Sequence, residues 1–315
     1  MSVEKIIIGI DTSNYTTSVA LMKTDGDVIA NIKRPLPVKE GERGLRQSDA
    51  VFAHVKNIPS AMAEAREYLA EREIIAIGVS ERPRNIDGSY MPCFLSGVAV
   101  AESISTMTKA PLYRFSHQCG HVMAAIHSSG RYDLLDGRGF CAFHVSGGTT
   151  EMLRVRACDG GFSAELIGGT ADLNAGQVID RIGVLMGLSF PAGAEMEKLA
   201  LQNEKKIPKK KPTIKECKVN LSGLENMADK LYRESGDKCL VSAFVLDYIG
   251  DALILLAESY VERFGECDFL FAGGVMSNSI IKNKISKRFN ASFAEPALSA
   301  DNAVGIAALT RLKIK

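Results

Sequence analysis

The amino-acid sequence predicts an α/β protein built from two lobes of related design. Three short β-rich runs separated by turn residues open the chain, and alternating helical and strand patterns follow them. The same order of β-rich runs followed by helix–strand alternation partly recurs from residue 139 onward. In both halves, segments with turn residues follow strands. A length of 315 residues also suits two domains. We therefore expect an N-terminal lobe at 1–115, a C-terminal lobe at 116–315 and a central cleft.

Hydrophobic periodicity predicts each element of the two lobes in turn. In the first lobe the strands are expected at 5–11, 17–23, 28–34, 74–80 and 111–115, and the helices at 48–69 and 97–107. In the second lobe the strands are expected at 139–146, 151–156, 163–167 and 267–271, and the helices at 178–186, 194–202, 242–264, 277–289 and 301–312.

Composition excludes several classes of protein. Apolar residues make up 46% of the chain and charged residues 24%, as in folded globular proteins. The net charge of +1 gives no global attraction to nucleic acid, although a local basic patch could still bind one. Seven scattered cysteines without a Cys-x-x-Cys pair favour a reducing compartment. The N-terminal apolar run is too short for a signal peptide, and we expect no membrane helix, so the predicted location is the cytoplasm.

A pair of histidines is the strongest sign of chemistry. His117 and His121 lie four residues apart, and a helix would place them on one face, where they could share a metal ion. Asp301 is a candidate carboxylate ligand at the start of the last predicted helix, and two histidines with one carboxylate suit divalent iron or zinc. His144 is a possible fourth ligand or outer partner. The competing interpretation is that the histidine pair only packs in a core.

A metalloprotease is a second metal hypothesis. Its helix carries His-Glu-x-x-His, in which the glutamate is the general base. Here Gln118 takes the place of that glutamate and cannot act as a base. The sequence therefore argues against peptide hydrolysis by this route.

Three turn segments predict a nucleotide site beside the metal. Asp11-Thr-Ser13 and Ser146-Gly147-Gly148-Thr149 can present backbone N–H groups and hydroxyls to a phosphate, and glycine permits positive φ and close approach. Ala272-Gly273-Gly274 could pass under a base or ribose, and Asn278 can donate and accept hydrogen bonds. Each segment taken alone is also explained as an ordinary turn. Together they indicate a nucleotide.

One segment is rich in lysine. Residues 205–215 contain six lysines and two prolines. Such a run is commonly a solvated, extended connection, but it could also contact the phosphates of RNA. No aromatic residue is interleaved with the lysines, so base stacking is not predicted there.

Taken in order, these residues resemble the tRNA N6-adenosine threonylcarbamoyltransferase family, formerly described as O-sialoglycoprotein endopeptidase or peptidase M22. The resemblance covers nearly the whole chain. It rests on the opening strand–turn–strand at 9–21, His54-Val-Lys-Asn, His117-x-x-x-His121, Ser146-Gly-Gly, residues 169–180, Pro191-Ala-Gly193, Leu221-Ser-Gly-Leu224, Ala272-Gly-Gly-Val-x-x-Asn278 and Asp301-Asn-Ala303.

The resemblance implies an actin-like ATPase (ASKHA) fold with two RNase H-like lobes. It also implies a transferase that moves a threonylcarbamoyl group from threonylcarbamoyl-adenylate to N6 of adenosine 37 in tRNA. The metal, iron or zinc, would be held by His117, His121 and Asp301, and would polarise the carbamoyl carbonyl. With the turn segments, the residues predicted to bind an adenine nucleotide or threonylcarbamoyl-adenylate are Asp11, Ser13, Ser146, Gly147, Gly148, Thr149, Asp180, Gly193, Glu197, Gly273, Gly274 and Asn278. No catalytic residue is assigned. The implied partners are tRNA and either a protein of the threonylcarbamoylation machinery or a second copy of the chain.

Several substrate-facing positions depart from the family pattern. Five family motifs are altered here. Cys-Asp-Glu/Asp-Thr reads Asn14-Tyr-Thr-Thr17, Gly-Pro-Gly reads Arg82-Pro-Arg-Asn85, and Ser-Gly-Gly-His-Thr reads Ser146-Gly-Gly-Thr-Thr150. Asp-Asp-Ala-x-Gly-Glu reads Asp172-Leu-Asn-Ala-Gly-Gln177, and Ser-Gly-Leu-Lys reads Ser222-Gly-Leu-Glu225. A retained metal motif with altered neighbours also fits an alternative function. In it, a re-purposed or non-catalytic paralogue binds nucleotide and metal and acts through a protein partner.

Overall fold

The computed structural model of the chain describes residues 3–13, 15–37, 45–158, 160–299 and 301–314. Its strands are β1 (Glu4–Thr12), β2 (Thr16–Lys23), β3 (Val28–Pro35), β4 (Arg72–Arg82), β5 (Leu112–Ser116), β6 (Phe140–Val145), β7 (Thr150–Cys158), β8 (Gly161–Thr170), β9 (Ile214–Lys215), β10 (Lys218–Val219), β11 (Phe269–Ala272) and β12 (Ala291–Phe293). Its helices are α1 (Gln47–Glu67), α2 (Phe94–Thr108), α3 (His117–Ser129), α4 (Ala175–Leu185), α5 (Gly193–Leu201), α6 (Ser222–Ser235), α7 (Lys238–Phe264), α8 (Ser279–Ser286), α9 (Pro296–Ser299) and α10 (Val304–Lys313).

The first sheet has the strand order β3-β2-β1-β4-β5. β2 runs antiparallel to β1 and β3, whereas β4 is parallel to β1 and to β5. Gly9 and Gly78 lie opposite each other in register. A Cβ atom at Gly9 would stand 2.5 Å from the carbonyl oxygen of Ala303, and one at Gly78 would stand 1.9 Å from Oγ1 of Thr310. Only glycine at these two positions lets α10 lie so close to the sheet.

The second sheet has the strand order β12-β11-β6-β7-β8-β10-β9. β6 is antiparallel to β7 and parallel to β11, and β11 is parallel to β12. Phe143 and Phe271 stack in the core with ring centroids 4.7 Å apart. The order β8-β7-β6-β11-β12 therefore repeats the order β3-β2-β1-β4-β5, and the two-lobe prediction from the recurring pattern is confirmed at the level of sheet topology.

The chain divides into two compact units whose boundaries differ from the predicted division at residue 115. Unit 1 comprises Met1–Leu135, Ala157–Ala164 and Ala297–Lys315, and unit 2 comprises Asp136–Arg156 and Glu165–Pro296. The physical reason is that α3 and α10 pack against each other and α10 lies on the first sheet, as the glycine contacts require. A Cβ atom at Gly305 of α10 would stand 1.8 Å from the carbonyl oxygen of Gly120 in α3. The histidine pair and Asp301 consequently belong to unit 1, and not to the C-terminal lobe as predicted.

Two helices differ from the prediction in their bounds. The expected helix at 277–289 is a 3-10 turn (Gly274–Ser277) followed by α8, because Asn278 has extended backbone angles and caps the second helix. The last helix begins at Val304, so that Asp301 precedes it and does not start it. α6, β9, β10, β12 and α9 were not predicted.

Helix α7 bears on the expectation that the chain has no membrane helix. Its 27 residues are long and apolar enough to cross a membrane by length and composition alone. However, 72% of its most apolar window is buried inside the structure, where it packs in the core of unit 2. This burial is the pattern of a core helix. All seven cysteines are free, as expected for a chain without disulfides.

Candidate functional site

The histidine pair lies in the first two turns of α3. The helix begins directly after β5, where the hydroxyl of Ser116 accepts a hydrogen bond from the backbone N–H of Cys119 (3.2 Å). This cap fixes His117 as the first helical residue, so that His121 follows one turn later on the same face. The two Nε2 atoms lie 2.9 Å apart. The helical spacing predicted for the pair is therefore present.

Asp301 completes a three-residue cluster. Its Oδ1 lies 3.3 Å from Nε2 of His121 and 3.6 Å from Nε2 of His117. One ligand atom from each of the three residues lies within 4.8 Å of the others, and this is the group of potential metal ligands that the described residues provide. The sequence-predicted triad is thus brought together within unit 1.

Asp11 supports the cluster from behind. It is fully buried, and its Oδ1 accepts hydrogen bonds from Nδ1 of His117 (3.0 Å) and from the hydroxyl of Ser80. A carboxylate that accepts from Nδ1 keeps the proton there and leaves Nε2 directed at the other ligands. Asp11 had been predicted as a nucleotide-binding residue, and in this structure its contacts are those of an outer partner of His117. Neither Ser80 nor Ser116 was predicted. Ser80 is recognisable only once the strand order is known, whereas a serine directly before a helix is a local cap signal.

The charges of the cluster are strongly coupled. Burial of the His117 ring opposes protonation, but the carboxylates of Asp11 and Asp301 outweigh it and raise the pKa of His117 to about 10. Burial would likewise raise the pKa of Asp301, yet the two histidine rings hold that pKa well below its usual range. The pKa of Asp11 is lowered in the same way, mainly by His117 against the effect of burial. The carboxylates therefore stay ionised, and a metal ion that binds Nε2 of His117 must displace the proton of that nitrogen.

The donor set fits a divalent metal ion. Two imidazole nitrogens bound at about 2.0–2.1 Å to a tetrahedral zinc ion would stand about 3.3 Å apart, so small shifts of the rings would admit an ion. In addition, Oδ2 of Asp11 is buried and has no hydrogen-bond partner among the described residues. Two nitrogens and one carboxylate suit iron or zinc. His144 lies on β6 in unit 2, and its role as a fourth partner remains a prediction.

The turn between β6 and β7 differs from the expectation in one respect. Gly147 and Gly148 are exposed, and a Cβ atom at either would meet nothing within 4 Å. Neither has positive φ, so the predicted conformational reason for these glycines is wrong. Ser146 and Thr149 close the turn through a hydrogen bond from N–H to carbonyl of 2.7 Å. What the glycines contribute is open space above the backbone.

The strand-end segment after β11 contains one glycine that its backbone requires. Gly273 has φ +103°, and a Cβ atom there would stand 2.2 Å from the carbonyl oxygen of Val145. The next residue, Gly274, faces open space. The side chain of Asn278 accepts from the N–H of Ile281 (3.1 Å) as the cap of α8, so its oxygen already has a structural partner.

The other predicted nucleotide-binding residues lie in unit 2 and hold its backbone. Asp180 accepts from the N–H of Ala192 (2.9 Å), and burial raises the pKa of Asp180 against the effect of that bond. Gly193 begins α5, and Glu197 accepts from the N–H of Ser279 (2.7 Å). Ser13, by contrast, lies in unit 1, where its buried hydroxyl has no partner among the described residues.

Three of the segments that depart from the family pattern make contacts within the described residues. The carbonyl of Pro83, in the segment Arg82–Asn85, accepts from the N–H of Gln118 (3.0 Å), which places this loop against the first turn of α3. Asp172 accepts from the N–H groups of Leu221 (2.7 Å) and Ser222 (3.1 Å) at the start of α6. Glu225 pairs with Arg181 (3.0 Å), so the reversed charge has a partner. Asn14, the first residue of the altered turn, lies outside the described residues.

The lysine-rich segment is exposed, as the solvated interpretation predicts. Lys206, Lys209, Lys210 and Lys211 are exposed, and Lys205 pairs with Asp237 (2.7 Å). The segment ends in the two-residue strand β9 at the edge of the second sheet. Its position leaves the RNA-contact interpretation open to experiment.

Comparisons with known proteins identify relatives over nearly the whole chain. The family model described as tRNA N6-adenosine threonylcarbamoyltransferase matches residues 31–308. The protein of that name from Bacillus licheniformis is 29% identical, with 96% of this chain and 90% of the relative covered. The one from Thermotoga neapolitana is 25% identical, with 96% and 92% covered.

Solved structures share the fold at low identity. Full-length HypF in its phosphate- and nucleotide-bound form aligns with a TM-score of 0.59 and 14% identity; 99% of this chain is covered, and it spans 55% of the HypF chain. Component A of the (R)-2-hydroxyglutaryl-CoA dehydratase of Acidaminococcus fermentans gives a TM-score of 0.56 at 14% identity, with 98% of each chain covered. A ROK family glucokinase from Streptomyces griseus gives 0.52 at 12% identity, with 98% of each chain covered. The fold is therefore actin-like, as predicted.

Proposed function

We propose, from the premise that this chain belongs to the tRNA N6-adenosine threonylcarbamoyltransferase family, that it transfers a threonylcarbamoyl group from threonylcarbamoyl-adenylate to N6 of adenosine 37 in tRNA. The family match over residues 31–308 supports an enzyme of this general activity. The observation that carries the proposal is the convergence of His117, His121 and Asp301 with Asp11 behind them.

The three converging residues would hold the metal ion of this enzyme, iron or zinc. Such an ion, when bound, would polarise the carbamoyl carbonyl as a Lewis acid. The chain's own residues orient the ring of His117. Asp11 accepts the proton of Nδ1 of His117 in a hydrogen bond, and the hydroxyl of Ser80 donates to the same carboxylate oxygen. Asp301 supplies the negative charge that a divalent ion would balance.

The nucleotide part of the donor would lie against exposed backbone in unit 2. Gly147, Gly148 and Gly274 each leave open space where a Cβ atom would stand, which suits close approach of a phosphate or ribose. The proposed set in unit 2 also contains Ser146, Thr149, Asp180, Gly193, Glu197, Gly273 and Asn278. Asp11 and Ser13, which are also predicted to bind the nucleotide, lie in unit 1. The supporting observation is that the turn with Gly147 and Gly148 directly follows β6, the first strand of its sheet.

The transfer is an acyl exchange. A bond forms between N6 of adenosine and the carbamoyl carbon, and the bond from that carbon to the phosphate oxygen of the adenylate breaks. AMP leaves with the phosphate, and one proton leaves N6. We assign no side chain to that proton. tRNA and a partner protein of the machinery, or a second copy of the chain, are the proposed partners, and the cytoplasm is the proposed location.

The proposal is tested with purified protein, threonylcarbamoyl-adenylate and a tRNA that contains adenosine 37, with and without the partner proteins of a host threonylcarbamoylation system. Mass spectrometry of the digested tRNA should show threonylcarbamoyladenosine, and AMP should accumulate in equal amount. The matched control is the same tRNA with guanosine at position 37, which should gain nothing. Absence of product even with partners, in protein that binds metal and nucleotide, would instead support the re-purposed paralogue.

A further inference from the structure

His54 of α1 bridges the two sides of the turn between β1 and β2. Its side chain is fully buried. One ring nitrogen, Nε2, lies 2.8 Å from the carbonyl oxygen of Ser13, just after β1, and the other, Nδ1, lies 2.8 Å from Oγ1 of Thr17 on β2. Both ring nitrogens are therefore used inside the protein.

The partners determine which nitrogen carries the proton. A carbonyl oxygen can only accept, so Nε2 of His54 must be the donor to Ser13. Burial lowers the pKa of His54, which favours a neutral ring with Nδ1 unprotonated. The hydroxyl of Thr17 then donates to Nδ1 and accepts from the side-chain N–H of Asn57 at 3.4 Å. This chain of bonds fixes the orientation of the ring.

The clamped turn is continuous with the support of the metal cluster. Asp11 lies two residues before Ser13, and its backbone carbonyl accepts from the hydroxyl of Ser18, the residue after Thr17 (3.3 Å). Thr12, between Asp11 and Ser13, pairs in register with Thr17. A shift of the turn would therefore move the strand ends that hold Asp11 against His117.

We propose that His54 is a positioning residue for the proposed metal centre: as an Nε2-protonated ring it holds the β1–β2 turn in the conformation that aims Asp11 at His117. The inference rests on the proposed function for its relevance to transfer, but its effect on metal binding stands independently. His54 touches neither the three ligands nor the reacting groups, so it acts through Ser13 and Thr17.

The test compares metal affinity, measured by competition with a coloured zinc chelator, in His54→Leu and His54→Gln. Leucine removes both hydrogen bonds, and we expect a loss of about tenfold or more, within the range of about 10–100-fold seen for outer partners of ligands. Glutamine can still donate to the Ser13 carbonyl and should restore most of the affinity. Wild-type affinity in His54→Leu would overturn the proposal.

The control for general loss of stability is Ile58→Ala, one turn later on the same buried face of α1. It should lower the melting temperature without weakening metal binding, and an equal loss of affinity in this variant would also overturn the proposal. If His54→Leu does not fold, Thr17→Val takes its place: it removes the donor to Nδ1 and should weaken zinc binding, and unchanged binding would contradict us. Because zinc affinity is measured without tRNA, a chain that binds zinc normally but transfers nothing would refute the proposed function and leave this inference standing.

Discussion

The two sheets share one strand order, but the turns that follow their first strands are built in opposite ways. In unit 1 the residues Asp11, Thr12 and Ser13 are buried, and helices and neighbouring strands hold them through side-chain hydrogen bonds. In unit 2 the corresponding turn from Ser146 to Thr149 exposes Gly147 and Gly148. The same topology thus supplies a closed polar cluster in one place and open backbone in the other. Equivalent turns of a repeated fold can therefore have different functions, because the strand order fixes where a turn lies and not which residues form it.

The largest effect is expected from removing the ligands of the closed cluster. The double change His117→Ala, His121→Ala should abolish metal binding, since Asp301 alone remains of the three ligands. Elemental analysis of protein purified without chelator should fall from near one iron or zinc per chain to background. The control is His127→Ala on the same helix, whose ring contacts Tyr132 (2.8 Å), and which should keep its metal. Equal metal content in the double variant would rule out this site.

The second effect tests the open turn. Gly176 stands behind it, and a Cβ atom there would lie 2.7 Å from the Cα of Gly147, whereas a Cβ at Gly148 would meet nothing. Gly176→Ala should cost about 1–3 kcal/mol of unfolding free energy through overpacking. Gly148→Ala should change it by less than about 0.5 kcal/mol and weaken nucleotide binding alone. Urea denaturation and calorimetry with ATP, AMP and an adenylate analogue separate the two results; unchanged nucleotide affinity in Gly148→Ala would remove this turn from the proposed site.

A third effect sharpens the comparison of carboxylates. Burial opposes ionisation of Asp172, but hydrogen bonds from Ser222, Leu221 and Leu173 lower its pKa from the ordinary value of 3.8. A carboxyl with a lowered folded pKa stabilises the fold above its unfolded value, and that stabilisation is lost as the pH falls below it. Asp172→Asn replaces one of the two accepting oxygens by an N–H donor, so it should cost about 0.5–1.5 kcal/mol at pH 7, and much less near pH 3.

The measurement for this carboxylate is urea denaturation at both pH values. The matched control is Asp229→Asn, which removes an exposed ion pair with Arg233 (2.8 Å) on α6, the helix whose start Asp172 caps. It should cost no more than about 0.5 kcal/mol at pH 7. A penalty for Asp172→Asn that does not shrink in acid would contradict the assignment of a charged cap.

The smallest effect lies outside both turns. Changing Lys209, Lys210 and Lys211 together to Ala should leave the fold unaltered, because all three are exposed. If the segment contacts RNA, each phosphate contact contributes about 0.7–0.9 to the slope of log affinity against log salt. Filter binding of tRNA at several salt concentrations should then give a flatter line for the variant. An identical slope would confine the lysine run to a solvated connection.

Much of the fold was predictable because its strongest elements have clear periods. The expected strands at 5–11, 17–23 and 28–34 agree with β1, β2 and β3 to within one residue at each end. The strands β9, β10 and β12 have only two or three residues, which is too short for any period to be read. α6 has apolar residues at helical spacing, including Leu224, Ala228 and Leu231, but most of its other residues are polar, so the helix was not predicted.

The site was predictable in its ligands and not in its support. The spacing of His117 and His121 follows from one helix, and Asp301 was a candidate carboxylate ligand that the family resemblance then supported. The contact between Asp11 and His117 joins residues 106 positions apart and depends on β1 and β5 both flanking β4. Neither composition nor spacing encodes that register. Composition and spacing also do not encode the contacts of His54, whose partners Thr17 and Ser13 lie on the two sides of the β1–β2 turn, 37 and 41 positions away.

The return of residues 297–314 to unit 1 also has a meaning in time. During synthesis the ribosome makes His121 roughly 180 residues before Asp301, an interval of roughly 10–40 s at the usual elongation rates. All of unit 2 is made within that interval, so the later unit in sequence is the first that can be finished. Before Asp301 has been synthesised, the two imidazoles alone would bind a metal ion only weakly. Firm metal retention would thus mark the moment at which the nascent chain has closed its first unit.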